Sequence, residues 1–362
     1  MEDTDALIVG QGLAGSVLAW SFWEEGRDFR IVDRDEGAYC SQVAGGLIDP
    51  ISPRLPTKAW LAELHFPEAE RFYRRIESLT NTTFYHPRPV HRPYKDAEEK
   101  ERWEKHAKKK GFDRFLWPKS PRKIPGVKMD PDLGSACFQG AFLDLPTFLA
   151  ESSRTFSQKG LLQRSPFDPD RLIEHTDGWE WNGLRSRTLI LCQGTGIREC
   201  PFFKELPLRP NKGEILSIDM PDFPQAAILN RGFYAIPLGE GQVRIGATYD
   251  HEDLSPEPTS AKKEELLQRM EDWIRLPYRV LDHKAGFRPT TPDTRPYVGF
   301  HRKRKGVAIF NGLGSKGIGL APYWAQRLRE KLREGKEEAP DPRVAPDRFE
   351  KKKTASKARS HF

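Results

Sequence analysis

Residues Asp5 to Gly15 read DALIVGQGLAG: an apolar strand, then Gly10-x-Gly12-x-x-Gly15, then the apolar helical stretch Ser16 to Trp23. No other segment narrows the possible folds so far. A helix N-terminus preceded by glycines presents unpaired N–H groups and a positive dipole end, and glycine lets an anion come close to the backbone. Alone, such a motif is weak evidence. Its setting strengthens it. A second strand, Phe29-Arg30-Ile31-Val32, ends at Asp33, eighteen residues after Gly15, where a carboxylate can meet the ribose hydroxyls of an adenosine. The plainer alternative is a capped turn followed by a surface aspartate. Arg34 would suit a 2′-phosphate, but the neighbouring carboxylate would repel one, which argues against NADP.

Near the other end lies NGLGSKGIGLAPYWAQRL, Asn311 to Leu328, a second glycine-rich turn that opens a helix. Two anion-binding devices near the ends of one chain suit a large cofactor held at both of its own ends. A flavin dinucleotide fits that description.

The chain of 362 residues can bury a substantial core and suits two intimately connected domains. Its start, MEDTD, is acidic and no basic-then-apolar segment follows; no run approaches the roughly 20 apolar residues of a membrane span. Cys40, Cys137, Cys192 and Cys200 have no CxxC spacing, so the reading is a reduced, cytoplasmic protein without a cysteine-based metal site. The net charge of +7 is uneven: Arg88–Lys128 carries +8 and Arg348–Phe362 carries +5. The second stretch, after Pro340, Pro342 and Pro346, reads as disordered. Asp96–Lys110 reads as a helix with acidic residues early and basic residues late, which suits its dipole. It is either a solvated surface helix or an electrostatic footprint for nucleic acid or an acidic partner.

Further elements follow from local signals. Ser41-Gln42-Val43-Ala44-Gly45-Gly46-Leu47 is a run of small residues where the backbone must approach something closely. Lys58–Leu79 reads as a helix with Trp60, Leu64, Phe72 and Ile76 on one stripe. Asp144-Leu145-Pro146 starts another helix, with Asp at the cap. Asn182-Gly183 marks a tight hairpin leading into Thr188–Cys192, an apolar run for a strand buried on both faces. From Leu208 to Asp250 alternation dominates, which predicts antiparallel strands of a separate sheet. Gly306–Phe310 is one more strand, feeding the second glycine-rich turn.

Taken together, LIVGQGLAG, IVDRD, SQVAGGL, LILCQGTG, NKGEIL, FYAIPLGEGQVRIGATY, GFRPTTPDTRPYVG and GLGSKGIGLAP resemble, in order, the FAD-dependent oxidoreductases of the D-amino-acid oxidase group. That group includes glycine oxidase, sarcosine oxidase and the oxidase half of the bifunctional wobble-uridine tRNA-modifying enzyme. The resemblance covers nearly all of Ala6 to Leu332. It implies an α/β fold: a Rossmann-like FAD-binding domain of the glutathione-reductase type with an inserted antiparallel-sheet substrate domain. The expected boundaries are 1–85, 141–205 and 285–335 for the first domain and 86–140 and 206–284 for the second, with a basic disordered tail over 336–362.

The resemblance also implies roles. Gly10, Gln11, Gly12, Leu13, Ala14 and Gly15 would hold the pyrophosphate, and Asp33 the ribose. Arg34, Ser41, Gln42, Gly45 and Gly46 would line the path to the flavin, Phe167 would meet adenine through its backbone, and Gly194 belongs to the same binding set. Gly312, Gly314, Ser315, Lys316 and Gly317 would approach the flavin pyrimidine. There the helix N-terminus, with Lys316, would stabilise charge developing near N1 and C2=O; alternatively Lys316 is a surface lysine. Arg288 would present its planar fork to a substrate carboxylate, or would instead hold its loop by pairing with Asp293. Tyr234 would support substrate binding, while Leu47 and Tyr249 would line the pocket. Asp293 reads as structural, and His86, His91 and His106 as exposed. Non-covalent FAD is expected, since the motifs for covalent attachment carry no cysteine or histidine.

The implied activity is oxidation of the C–N bond of a small amino acid or secondary amine by hydride transfer to flavin N5, giving an imine. Molecular oxygen or another acceptor would take the electrons. Two other readings stand beside it: an oxidase acting on a carboxymethylaminomethyl-modified tRNA wobble uridine, with the +8 segment on phosphates, and a non-catalytic FAD-binding protein.

Overall fold

The Glu2–Val9 strand pairs in parallel with Phe29–Asp33 on one side and Leu184–Leu191 on the other. In the computed structural model, which describes residues 2–34, 40–52, 56–117, 121 and 123–350, these strands centre an eight-stranded sheet. Leu162–Arg164 extends it beyond Phe29–Asp33, and Val307–Asn311 pairs in parallel with the far half of Leu184–Leu191. The near half of that strand turns back through Asn182 and Gly183, whose φ values of 48° and 80° make the type I′ hairpin that the Asn-Gly pair predicts. The parallel strands end together, so Gly10, Arg34, Cys192 and Gly312 come to one edge, where open α/β sheets bind ligands.

The Leu13–Glu25 helix is buried from Leu13 to Phe22 because it lies between that sheet and the helices Leu145–Gln158 and Gly317–Arg333. Trp20 packs on Phe156 with ring centroids 4.9 Å apart, and its Nε1 donates to Ser152 Oγ at 2.9 Å. Burying a side chain of this size stabilises the fold by roughly 1.5–3 kcal/mol. Two glycines make the approach to this helix possible. A Cβ on Gly15 would lie 1.8 Å from Gly10 O, and Gly10 itself has φ +101° with Cys192 O 2.7 Å from where its Cβ would be.

A second sheet of seven strands carries the order Arg279–Thr290, Arg209–Asp219, Gln242–Gly246, Tyr234–Gly239, Ile228–Asn230, Val90–Pro93, Ser135–Phe138. Its pairs are antiparallel except that between Ile228–Asn230 and Val90–Pro93. Alternation sorts its residues onto two faces. Leu216, Ile218, Ala235, Val243 and Ile245 pack beneath the Ser260–Glu271 helix with Leu266 and Met270. Val90, Ile228, Tyr234 and Ile236 take the other face, towards Leu47 and Phe142.

Several local expectations need correction. The first of the two mid-chain helices is Ala62–Thr80, and Leu64 on its expected stripe is 46% exposed, whereas Phe72 and Ile76 are buried. The second, Ala97–Ala107, is capped by Asp96 but is not purely solvated: Trp103 is buried between Phe112 and Phe138. His91 is buried, and burial holds its pKa down at about 4. His86 stacks on Phe142 at 4.5 Å and His106 is half-buried, so none of the three is fully exposed. Residues 336–350 of the expected disordered tail are packed on the body. Val344 is fully buried and its carbonyl accepts from Val298 N at 2.9 Å. Arg348 donates through Nε and Nη2 to both carboxylate oxygens of Asp293, at 3.0 and 2.9 Å. The prolines that suggest disorder here shape a strap of turns and one short 3-10 helix, Pro346–Phe349, whose apolar Val344 reaches the core. Residues 351–362 lie outside the described residues.

Candidate active site

A cavity of about 1160 Å³ runs between the carboxyl edge of the first sheet and the open face of the second. It exceeds the roughly 300–1,000 Å³ of pockets for one drug-sized ligand. Gly10, Gly12, Leu13, Ala14, Asp33, Arg34, Phe167 and Gly194 line one end. Ser41, Gly45, Gly46, Gly314, Ser315, Lys316 and Gly317 line its middle, and Leu47, Tyr234, Tyr249 and Arg288 the other end.

Four expected residues stand back from the cavity wall. Gly15 packs on Gly10, as above. Gly312 closes the strand end against Thr291 and Tyr297. Gln11 donates from its side chain to Ser16 Oγ and Leu149 O, while its N–H reaches Asp33 Oδ1 at 3.0 Å. Gln42 points to solvent. Asp33 is buried with its other oxygen accepting from Arg164 Nη1 at 2.9 Å, so the carboxylate is held rigidly at the cavity wall.

The walls suit FAD. The Leu13–Glu25 helix starts at Gly12, which offers no side chain of its own; the neutral Ser41 Oγ accepts from Leu13 N at 3.1 Å, and no acidic residue stands in the first turn. The Gly317–Arg333 helix starts at Lys316 with no side-chain cap and no acidic residue in its first turn. Two helices thus open unneutralised N-termini into one cavity, the arrangement that receives a pyrophosphate at one point and an electron-rich ring edge at another. Lys316 lines the cavity, yet its Nζ meets the buried Asp49 Oδ1. The ammonium is therefore already partnered, and it is neither a bare surface lysine nor an uncompensated charge.

At the far end the register of the second sheet builds a guanidinium site. Arg288 pairs across the sheet with Asn211, and Gly213 with Gly286. Arg288 Nη1 donates to Asn211 Oδ1 at 2.8 Å and to Thr248 O at 3.2 Å, and the guanidinium lies over the Tyr249 ring at 4.6 Å. A Cβ on Gly213 would fall 2.0 Å from Arg288 Nη2, so only glycine leaves room for the fork. Asp293 does not pair with Arg288; burial raises its pKa, but the two Arg348 hydrogen bonds outweigh this and hold it low. Tyr234 lies with its hydroxyl against Gly45 and Gly246, where a Cβ would come within 1.9 and 2.5 Å. Burial pushes its phenol up to about 12, against the opposing pull of Arg288 and Arg244. Tyr249 is 62% exposed and sits at the mouth. Cys40 also lines this end, and burial raises its thiol to about 11, so it stays protonated at neutral pH.

Sequence reasoning missed Asn211, Gly213, the Thr248 carbonyl and Asp49. Asn211 and Gly213 stand inside NKGEIL, which marks a family segment without announcing that its residues hold Arg288. The one available signal was a polar asparagine in a strand otherwise destined for burial.

Fold and site together define a nucleotide-cofactor oxidoreductase. The family model "FAD dependent oxidoreductase" matches residues 5–331, and the chain belongs to that family. It is an FAD-dependent enzyme. The chain is 26% identical to a glycine oxidase of Pseudomonas aeruginosa over 93% of its own length and 96% of that protein's. It is 23% identical to the tRNA 5-methylaminomethyl-2-thiouridine biosynthesis bifunctional protein of Marinobacter nauticus, covering 90% of itself and 55% of that longer protein. The crystal structure of glycine oxidase from Geobacillus kaustophilus superposes with a TM-score of 0.76 at 19% identity, over 95% of this chain and 98% of that one. Among the described residues no helix is long and apolar enough to cross a membrane, and no group of three or more metal-ligating side chains occurs.

Proposed function

We propose that the enzyme oxidises the C–N bond of a small amino acid or N-substituted amino acid whose carboxylate binds Arg288. The observation that carries this reading is the fixed guanidinium: Asn211 and Thr248 hold Nη1, and Gly213 clears space beside Nη2, so the fork is aimed before any ligand arrives. Bound FAD supplies the two-electron acceptor. The Gly10–Gly15 turn and Asp33 would hold its adenosine diphosphate half, and the Gly317–Arg333 N-terminus would face its ring system. The chain's own contribution is placement. Arg288 fixes the carboxylate, Tyr234 offers a protonated phenol beside it, and Leu47 covers the apolar flank. No histidine lines the cavity among the described residues. The positive charges of Arg288 and Arg244 beside the pocket disfavour an ammonium there, which helps the amine bind neutral, ready for oxidation. The amine loses two electrons and two protons to give an imine, which water cleaves to a carbonyl compound and the free amine. Oxygen or another acceptor would take up the two electrons in the end.

Anaerobic bleaching of the bound flavin by amino acids and N-substituted glycines tests the reading. Bleaching by such amines supports it; bleaching by none of a broad panel, with dithionite still effective, sinks it. For the tRNA alternative the support is the name of one relative and the exposed run Lys108, Lys109, Lys110. Micromolar tRNA binding at physiological salt, lost on reversing those three to Glu, would establish it.

A further inference from the structure

Arg92 also lines the cavity, and nothing in the mechanism uses it. It is 8% exposed, on the short Val90–Pro93 strand. The Arg231 guanidinium is buried beside it, and the two share a single carboxylate. Glu99 Oε1 accepts from Arg92 Nε at 3.1 Å and Nη2 at 3.0 Å, and from Arg231 Nη1 at 2.7 Å. Glu99 Oε2 is occupied by Lys95 N–H at 2.9 Å. Arg92 Nη1 also donates to Asn230 O at 3.3 Å. Among the described residues two guanidinium charges therefore answer to one carboxylate, and one positive charge is left in the cavity wall. Arg231 turns its face to the Trp273 ring, 4.6 Å away, which leaves Arg92 as the member facing the cavity. Among the described residues, three of its five N–H donors are used. A buried charge in excess is costly unless something pairs with it.

Its place in the sheet says what that something is. Asn230 pairs with Tyr234, and Leu229 with His91, so the next residues along, Asn230 and Arg92, are neighbours. Arg92 therefore shares a face with Tyr234, two strand spacings or about 10 Å away. Arg288 stands on the other side of Tyr234, on the edge strand Arg279–Thr290. The strands that carry Arg288 and Arg92 lie five spacings, roughly 24 Å, apart, less the inward reach of the two side chains, so a long molecule with its carboxylate on Arg288 that extends past Tyr234 would meet Arg92 at its far end.

We propose that Arg92 is the binding site for a second anionic group of the substrate, a carboxylate or a phosphate, so that the preferred substrate is an amino acid bearing an acidic group at the far end of its chain. The proposal rests on Arg288 as the anchor of the first carboxylate.

The test uses the FAD-loaded full chain and ligands that cannot be oxidised. Flavin absorbance is titrated with straight-chain monocarboxylates, with α,ω-dicarboxylates of matching length, and with ω-phosphonocarboxylates. Over one window of chain length the doubly anionic ligands should bind about tenfold or more tightly than the matched monocarboxylates. Whichever doubly anionic series shows the larger gain identifies the group. Arg92→Gln should abolish the gain and leave monocarboxylate affinity unchanged. Glu99→Gln, which removes the competing carboxylate, should enlarge it, a sign that a purely structural cluster would not produce. Equal affinities for single and double anions at every length in the wild type would overturn the proposal, as would a gain that survives Arg92→Gln. The oxidation reading is judged separately: amines that bleach the flavin without any dianion gain sink the Arg92 site alone, and a dianion gain without bleaching sinks the oxidation alone.

Discussion

The two ends of the cavity are made in different ways. The Gly10–Asp33 end is local: one strand, one turn and one helix, with the backbone itself lining the cavity and Asp33 supplied by the next strand. The Arg288 end is assembled from residues far apart in sequence. Asn211, Gly213, Tyr234, Thr248 and Arg288 meet only because the strands of the second sheet pair in one register. A backbone site tolerates almost any side chain that does not intrude, whereas a side-chain site depends on each partner. The first end should therefore break on added bulk and the second on lost hydrogen bonds.

Bulk gives the largest expected effects, and two glycines separate binding from folding. Gly12 has ordinary extended φ and an added Cβ would only touch Ser41 Oγ at 3.4 Å, so Gly12→Val should fold with a melting temperature close to that of the wild-type apoprotein, yet purify colourless. Gly15→Val must displace Gly10 O and should lose stability as well, by about 1–3 kcal/mol or more. The 450-nm to 280-nm absorbance ratio and thermal unfolding of the two variants check this. Full FAD content in Gly12→Val would show that the turn is not the cofactor site.

Next comes the guanidinium. Arg288→Lys keeps the charge and loses the fork, costing about 1.5–3 kcal/mol in substrate binding, or roughly 10- to 150-fold, with FAD content unchanged. Anaerobic flavin reduction at varied amine concentration measures it. A variant as fast as the wild type at the same concentrations removes the carboxylate role.

Acid probes the second sheet through His91. Its folded pKa of about 4 lies below the ordinary value of 6.5, so the unfolded chain takes up the proton first. The stabilisation is fully present above pH 6.5 and falls away as the pH drops from there towards 4, with a loss of order 2–3 kcal/mol at the low end. His91→Asn should start less stable at pH 7.5 and show a flatter decline down to pH 4.5 in thermal melts. An unchanged slope would mean that this histidine is not buried neutral.

The smallest expected effect is the most specific to the comparison. Asn211→Ala removes one of the two acceptors that aim Arg288, and should raise the KM for the best amine roughly two- to tenfold, about 0.5–1.5 kcal/mol, with kcat and FAD content held. A fall in FAD content instead would show that the two ends are coupled, and that Asn211 supports the fold more than the fork.

The difference between the ends also explains what could be read beforehand. The Gly10–Gly15 turn, the Asn182-Gly183 hairpin and the Asp144 cap are each dictated by neighbours within a few residues, and each stands where the sequence places it. Arg288 was legible as a residue but its partner was not: Asp293 is five positions away and looked available, yet Arg348 claims it. Arg348 itself lay in a stretch that charge and proline content marked as disordered. Composition describes how a segment behaves alone, and says nothing of a body waiting to receive Val344 and Arg348.

From the chain alone, then, came the glycine-rich start, the second glycine-rich turn, the two kinds of sheet and the arginine that the structure places in the cavity wall. Those features depend on backbone freedom, periodicity and capping, all of which act over a few residues. Only the tertiary structure decided that Asn211 and Gly213 would aim Arg288, that Asp49 would partner Lys316, and that Arg92 would keep an uncompensated charge in the cavity wall. These depend on strand register and on which distant charges burial brings together, and no local pattern in the sequence records either.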